Sequence, residues 1–149
     1  MTKKFNIAAL AVASIAAMHV KNAAGEPMYA DEERKLPIRI HFHGPGSKAF
    51  GVVESRQSAR AVKRMQDNDG KVTVAPHEER QTEAAADLAS LTASFENFDY
   101  APAGVEEGSL TGEDLFVAVY SDPLLGFVAR QASKFLADWG NFSAASKAA

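Results

Sequence analysis

"YSDPLLGFVARQASKFLADWGNF", residues 120–142, specifies local structure more clearly than any other stretch of this 149-residue chain. Asp122 is typical of a helix cap, and Pro123 suits the first helical position, where a missing N–H costs nothing. Apolar residues then recur three and four apart, which predicts one buried helical face: Leu125, Val128, Ala132, Phe135, Leu136 and Trp139. Gly140 follows where helices commonly end. The stretch therefore predicts a closing helix that carries the only tryptophan and no catalytic residue.

Two extended segments lie upstream, "MHVKN" at residues 18–22 and "LPIRIHFHG" at residues 36–44. In the second segment Ile38, Ile40 and Phe42 alternate with Arg39 and two histidines, so one face is buried and the other is wet. The two segments predict a two-stranded β-ribbon over about residues 16–43. A ribbon of two strands is marginally stable alone, so it must lie on the helices that follow.

Caps and apolar spacing predict about four helices after the ribbon. They run from Ser47 to about Asn68, from Pro76 through Phe95, from Thr111 (with Asp114 as a capping box) through Val119, and over the stretch quoted above. The fold class is therefore α+β and mainly helical, an N-terminal β-ribbon followed by helices. We expect one domain over residues 1–142, with its helical part at about 47–140, and a flexible tail at 143–149.

Composition excludes several classes of function. The net charge is −3 and the pI about 5.8, which gives no global electrostatic case for nucleic-acid binding. The chain has no cysteine, so it forms no disulfide or thiolate metal site, which fits a reducing cytoplasm. No apolar run is long enough to cross a bilayer. Residues 1–20, "MTKKFNIAALAVASIAAMHV", also have the pattern of a secretory signal peptide, which leaves a secreted domain as one alternative.

Motifs for chemistry are sparse. His41 and His43 share a strand face, a spacing that metal sites use, yet a catalytic site needs a third ligand, and a solvent-facing strand edge is the simpler interpretation. The segment "GPGSK" at residues 44–48 lacks the spacing of a phosphate-binding loop and predicts a strand-to-helix turn capped by Ser47. Adjacent carboxylates such as Glu106-Glu107 diverge and do not make an acid–base pair. No nucleophile motif is present, so an enzyme is not indicated.

The first predicted helix carries a basic run of four residues. It comprises Arg56, Arg60, Lys63 and Arg64. Such a run is usually a solvated face. The alternative is docking on an acidic surface, for which the second helix is an intramolecular candidate through Glu78, Glu79 and Glu83.

The order of motifs resembles a family. A Leu-x-Val-Ala region leads into "AAMHV" (16–20), a "GEPM" turn (25–28) and "HGPGSKAF" (43–50), then "ASLTASFENFDY" (89–100), "YSDPLLGF" (120–127) and "DWGNF" (138–142). This succession resembles the small tail assembly chaperones of long-tailed bacteriophages and prophages, which are encoded upstream of the tape-measure protein. The resemblance covers about residues 5–142, and it places the N-terminal residues within the domain.

The resemblance implies a non-enzymatic protein of the host cytoplasm, with no cofactor, no metal, no nucleic acid and no membrane association. Its partners would be the tape-measure protein and the tail-tube protein, with a possible homo-oligomer. The last helices would present a fixed apolar groove to an amphipathic tape-measure helix. The candidate partner-binding residues are Leu125, Phe127, Phe135 and Trp139. The remaining alternatives are a structural virion protein (a tail-completion or head–tail connector subunit), the secreted domain, and a metal-dependent enzyme using His41 and His43.

Overall fold

A computed structural model of the chain describes residues 4–73 and 75–143. It contains three strands, β1 (Ile15–His19), β2 (Arg39–His43) and β3 (Thr92–Glu96). Its four α-helices are α1 (Lys48–Asp67), α2 (His77–Leu91), α3 (Gly112–Ser121) and α4 (Gly126–Leu136). Short 3-10 turns occupy Ile7–Leu10, Pro123–Leu125 and Trp139–Phe142. The predicted α+β, mainly helical class is confirmed.

The sheet is antiparallel throughout, in the order β1-β2-β3. Met18 of β1 lies opposite Ile40 of β2, and Ile40 lies opposite Phe95 of β3. Because side chains alternate along a strand, this register turns Met18, Ile40 and Phe42 to the same buried face. The predicted inward face of the second segment is therefore confirmed for Ile40 and Phe42.

The sheet has a third strand, β3, which the predicted two-stranded ribbon did not include. The apolar spacing predicted that the second helix continues through Phe95, but α2 ends at Leu91 and β3 begins at the next residue. Thr92 adopts the extended conformation, and its hydroxyl donates to the Leu88 carbonyl 2.8 Å away, which helps to close the helix end. Phe95 is then held by pairing with Ile40, a contact between residues far apart in sequence.

The ends of α1 and α4 differ in how well they follow from sequence. Ser47 caps α1 by accepting from the Phe50 amide at 3.2 Å, as predicted. The closing helix is shorter than predicted, since Asp122 caps a 3-10 turn, α4 begins at Gly126, and it ends at Leu136. Thr111 does precede α3, but its side chain makes no capping hydrogen bond.

One core joins the sheet to the helices. Its fully buried side chains come from both halves of the chain: Val20, Ile40, Phe42, Val119, Ala132 and Phe142. β1 is part of this core through Met18, so the last residues of the segment with a signal-peptide pattern lie within the sheet. The predicted flexible tail lies outside the described residues, apart from Ser143.

Candidate protein-binding surface

The four candidate partner-binding residues do not line a single groove. Leu125 and Phe127 lie together at the start of α4. Phe135 is half-buried and packs against the core, with its ring centroid 5.8 Å from that of Phe42 and 5.3 Å from that of Phe142. Trp139 is 56% exposed and lies beyond the helix end, beside Gly46. The predicted helical face is shorter than expected, because α4 stops at Leu136 and Trp139 lies in the next turn. A binding role of the four residues stays a prediction.

Leu125 and Phe127 line a small apolar groove of about 170 Å³. Its other walls come from the chain after β1, the entry to β2, the segment after β3, and α4. These lining residues are Val20, Met28, Ile38, Phe98, Asp99, Tyr100 and Val128. Apolar side chains dominate the lining, which is the usual make-up of a binding groove.

Asp122 holds the turn that precedes α4. Its Oδ1 accepts from the Leu124 amide at 2.9 Å, and its Oδ2 accepts from the Tyr100 hydroxyl at 2.8 Å. The hydrogen bond to Asp122, with burial as a lesser cause, raises the pKa of Tyr100 above its usual value. The turn is thus tied to the wall of the apolar groove. It presents Leu124 to solvent, where the side chain is 86% exposed.

Gln131 fixes the opposite side of this region. Its Oε1 accepts from the Lys21 amide at 2.9 Å, and its Nε2 donates to the Lys21 carbonyl at 2.7 Å. This pair of bonds fastens the turn after β1 to α4. Leu124 and Phe127 therefore lie between two backbone segments that are each held by side-chain hydrogen bonds, so the surface is preorganised for binding.

The basic run of α1 docks on α2. Arg56 and Arg60 bond to Asp87, with nitrogen–oxygen distances of 2.8 and 2.9 Å, and Arg64 bonds to Glu83. The usual interpretation, a solvated face, is wrong for these three arginines, and the intramolecular alternative is confirmed through Glu79 and Glu83. Asp87 was missed by sequence reasoning. The available signal was spacing, because arginines and acids both recur every four residues, which places each set on one helical face.

The ion pairs between α1 and α2 are here called the charge ladder. Asp87 accepts from two of its arginines and is only 7% exposed. Burial alone would raise its pKa, but hydrogen bonds from Arg60, Gln57 and Arg56 outweigh burial and hold the pKa of Asp87 below its usual value. The carboxylate therefore remains ionised at neutral pH, with both oxygens accepting hydrogen bonds. The charge ladder has a structural role, because its arginines and carboxylates pair with one another within the fold.

The outer face of the sheet carries the histidines. His41 Nε2 lies 3.0 Å from Glu96 Oε1, and Arg39 donates to the other Glu96 oxygen at 3.2 Å. The hydrogen bond to His41 is the largest cause that holds the pKa of Glu96 below its usual value. Burial opposes it, and the charge of Arg39 adds to the lowering. Within residues 4–73 and 75–143, no three His, Asp or Glu side chains come together in a way that could hold a metal ion.

Comparisons with known proteins return no counterpart: no family model, no curated protein and no solved structure matches the chain. Among the described helices, none combines the length and apolar character needed to span a membrane.

Proposed function

We propose that this protein is a non-enzymatic tail assembly chaperone that binds the tape-measure protein of a long-tailed phage or prophage in the host cytoplasm and promotes tail-tube assembly. Two observations support the proposal. One is the order of sequence motifs from the Leu-x-Val-Ala region to "DWGNF". The other is an apolar surface at the start of α4, at two of the four residues for which the resemblance implies partner binding.

The observation that carries the proposal is the exposure of Leu124. A leucine that is 86% exposed, on a turn fixed by Asp122 and next to an apolar groove, leaves apolar surface without an intramolecular partner in the described part of the chain. An exposed leucine beside a groove lined mainly by apolar side chains gives a partner both an apolar contact and a recess for a second side chain. An amphipathic helix would place one apolar residue in the groove beside Leu125 and the next against Leu124, which is the helix-in-groove mode of recognition.

The test is co-expression with the long coiled-coil product of the neighbouring open reading frame. We expect the wild-type protein to keep that partner soluble, to co-purify with it, and to be missing from mature particles. Leu124→Ser should reduce the co-purified partner at least about tenfold, because a central apolar contact is lost. Its own stability should change by less than about 0.5 kcal/mol, because the side chain is already in water.

Val62→Ser is the matched control, since Val62 is also an exposed aliphatic residue, 54% exposed on α1. It should leave partner binding unchanged. A protein that ignores the partner and stays with purified particles would be a structural virion subunit, and the chaperone proposal would fail. Equal losses in both variants would show that the surface around Leu124 is not the binding site.

A further inference from the structure

Three cationic residues line a depression that Leu124 also lines. Lys21, Arg130 and Lys134, here called the cationic rim, line a second depression of about 570 Å³ together with Leu124 and Phe127. The remaining lining residues carry no carboxylate: Asn22, Ala23, Gly25, Pro123, Gly126 and Gln131. An apolar centre is therefore bordered by positive charge alone, on a chain whose net charge is −3.

The side-chain charges of the cationic rim form no ion pair within the described part of the chain. In the described part of the chain, Arg39, Arg56, Arg60 and Arg64 all lie within 4 Å of a carboxylate, whereas no rim residue does. Asp122, the acidic residue nearest to Leu124 along the chain, accepts hydrogen bonds from the Leu124 amide and the Tyr100 hydroxyl. Asp138, four residues after Lys134, accepts one from the Gly140 amide. Arg130 and Lys134 are four residues apart on α4, so they lie on the same side of the helix.

We infer that the segment bound at Leu124 is an acidic amphipathic helix, with carboxylates flanking its apolar stripe. This inference rests on the proposed function for the identity of the partner and on charge complementarity for its chemistry. The apolar stripe fills the depression, while carboxylates reach Lys21 on one side and the Arg130–Lys134 pair on the other. Because the rim is solvated, these pairs act mainly on selectivity and association rate, and salt weakens them.

A protein helix fits this surface better than a membrane does. The depression lies between the turn after β1 and α4, and Gln131 fastens those two elements together. A concave site of this kind takes single side chains, whereas a membrane-binding surface presents a broad apolar face with many cations. Binding to anionic lipid is therefore the competing outcome that the experiment must separate.

The experiment uses the full-length protein and two labelled synthetic helices of about 20 residues, long enough to hold helical structure. One has a leucine stripe flanked by glutamates, and the other has glutamine at each glutamate position. Fluorescence anisotropy at about 30 mM and about 300 mM NaCl brackets the range over which screening becomes strong. At low salt we expect the acidic helix to bind about tenfold more tightly than the glutamine helix. This difference in affinity should shrink at high salt.

The double variant Arg130→Gln/Lys134→Gln should remove most of that preference. Lys63→Gln/Lys71→Gln is the control, because it changes the net charge equally at two exposed lysines without a carboxylate partner in the described chain. Equal affinity for both helices, no binding of either, or equal effects of the two double variants would overturn the inference. So would sedimentation with phosphatidylglycerol vesicles by a protein that ignores the acidic helix.

The two proposals fail separately. If the acidic helix binds at Leu124 but the tape-measure protein does not, the chemistry of the surface stands and the proposed function falls. If the tape-measure protein binds with no effect of the Arg130–Lys134 variant, the proposed function stands and the acidic partner is wrong.

Discussion

Gly44 shows how closely the end of β2 packs on the C-terminal turn. A Cβ at Gly44 would lie 2.6 Å from Phe142 Cδ2, and Phe142 is fully buried. We expect Gly44→Ala to lower the free energy of unfolding by about 1–3 kcal/mol, because the ring has no free space into which to move. Urea denaturation followed by circular dichroism measures this change.

Gly46→Ala is the natural comparison for Gly44→Ala. The nearest side-chain atoms to its Cβ would be 3.5 Å and 3.7 Å away, which is ordinary contact. Its effect should stay within about 0.5 kcal/mol. If the two alanine variants were equally stable, the packing of Phe142 against the end of β2 would be refuted.

Asp87 of α2 holds α1 in place through its ion pairs with Arg56 and Arg60, and Asp87→Asn tests that connection. The substitution removes the negative charge and one of the two acceptor oxygens, so that Arg56 and Arg60 lose their partly buried ionic partner. We expect a loss of about 2–3 kcal/mol in stability at pH 7, measured by urea denaturation. Glu79→Gln, at the exposed end of the ladder, should cost far less, because solvent screens its contact with Arg64.

The same carboxylate makes stability depend on pH. The pKa of Asp87 is lower in the folded chain than in the unfolded chain. Its stabilisation is therefore complete above about pH 4, the unfolded value, and disappears as the pH falls through the folded pKa. Wild-type stability should fall more steeply below about pH 4 than that of Asp87→Asn. If the free energy of unfolding depended on pH in the same way for both proteins, Asp87 would not be a source of the acid sensitivity.

β1 connects the N-terminal region to the whole molecule, and two truncations test its role. Residues 4–11 are exposed, so removal of residues 2–10 should leave the circular dichroism spectrum and the cooperative unfolding transition unchanged. Removal of residues 2–17 deletes the first three residues of β1 and their pairing with β2. That chain should lose the cooperative transition, since the inner face then opens to water. A cooperative transition at the wild-type temperature would contradict the place of β1 in the core.

The sequence predicted local features because neighbouring residues determine them. The Ser47 cap, the alternation of Ile40 and Phe42, and the apolar face of α4 through Leu136 all follow from periods of two or three to four residues. The intramolecular alternative for the basic run was available for the same reason. Even so, the local signal for α2 misled, because Phe95 continues the helical spacing of the preceding residues and yet belongs to β3.

Other features depend on pairing and packing between residues far apart in sequence, so only the tertiary structure shows them. Phe95 forms a strand because Ile40 pairs with it, and Asp87 is an anchor because two arginines of another helix meet it. Of the four candidate partner-binding residues, Leu125 and Phe127 meet distant segments at the turn before α4, and their role in binding stays a prediction. Trp139 does not lie on that surface, because α4 ends at Leu136 and Trp139 belongs to the next turn. By itself the sequence determined the class of fold and most helix starts, whereas the tertiary contacts decided the third strand, the charge ladder and the surface around Leu124.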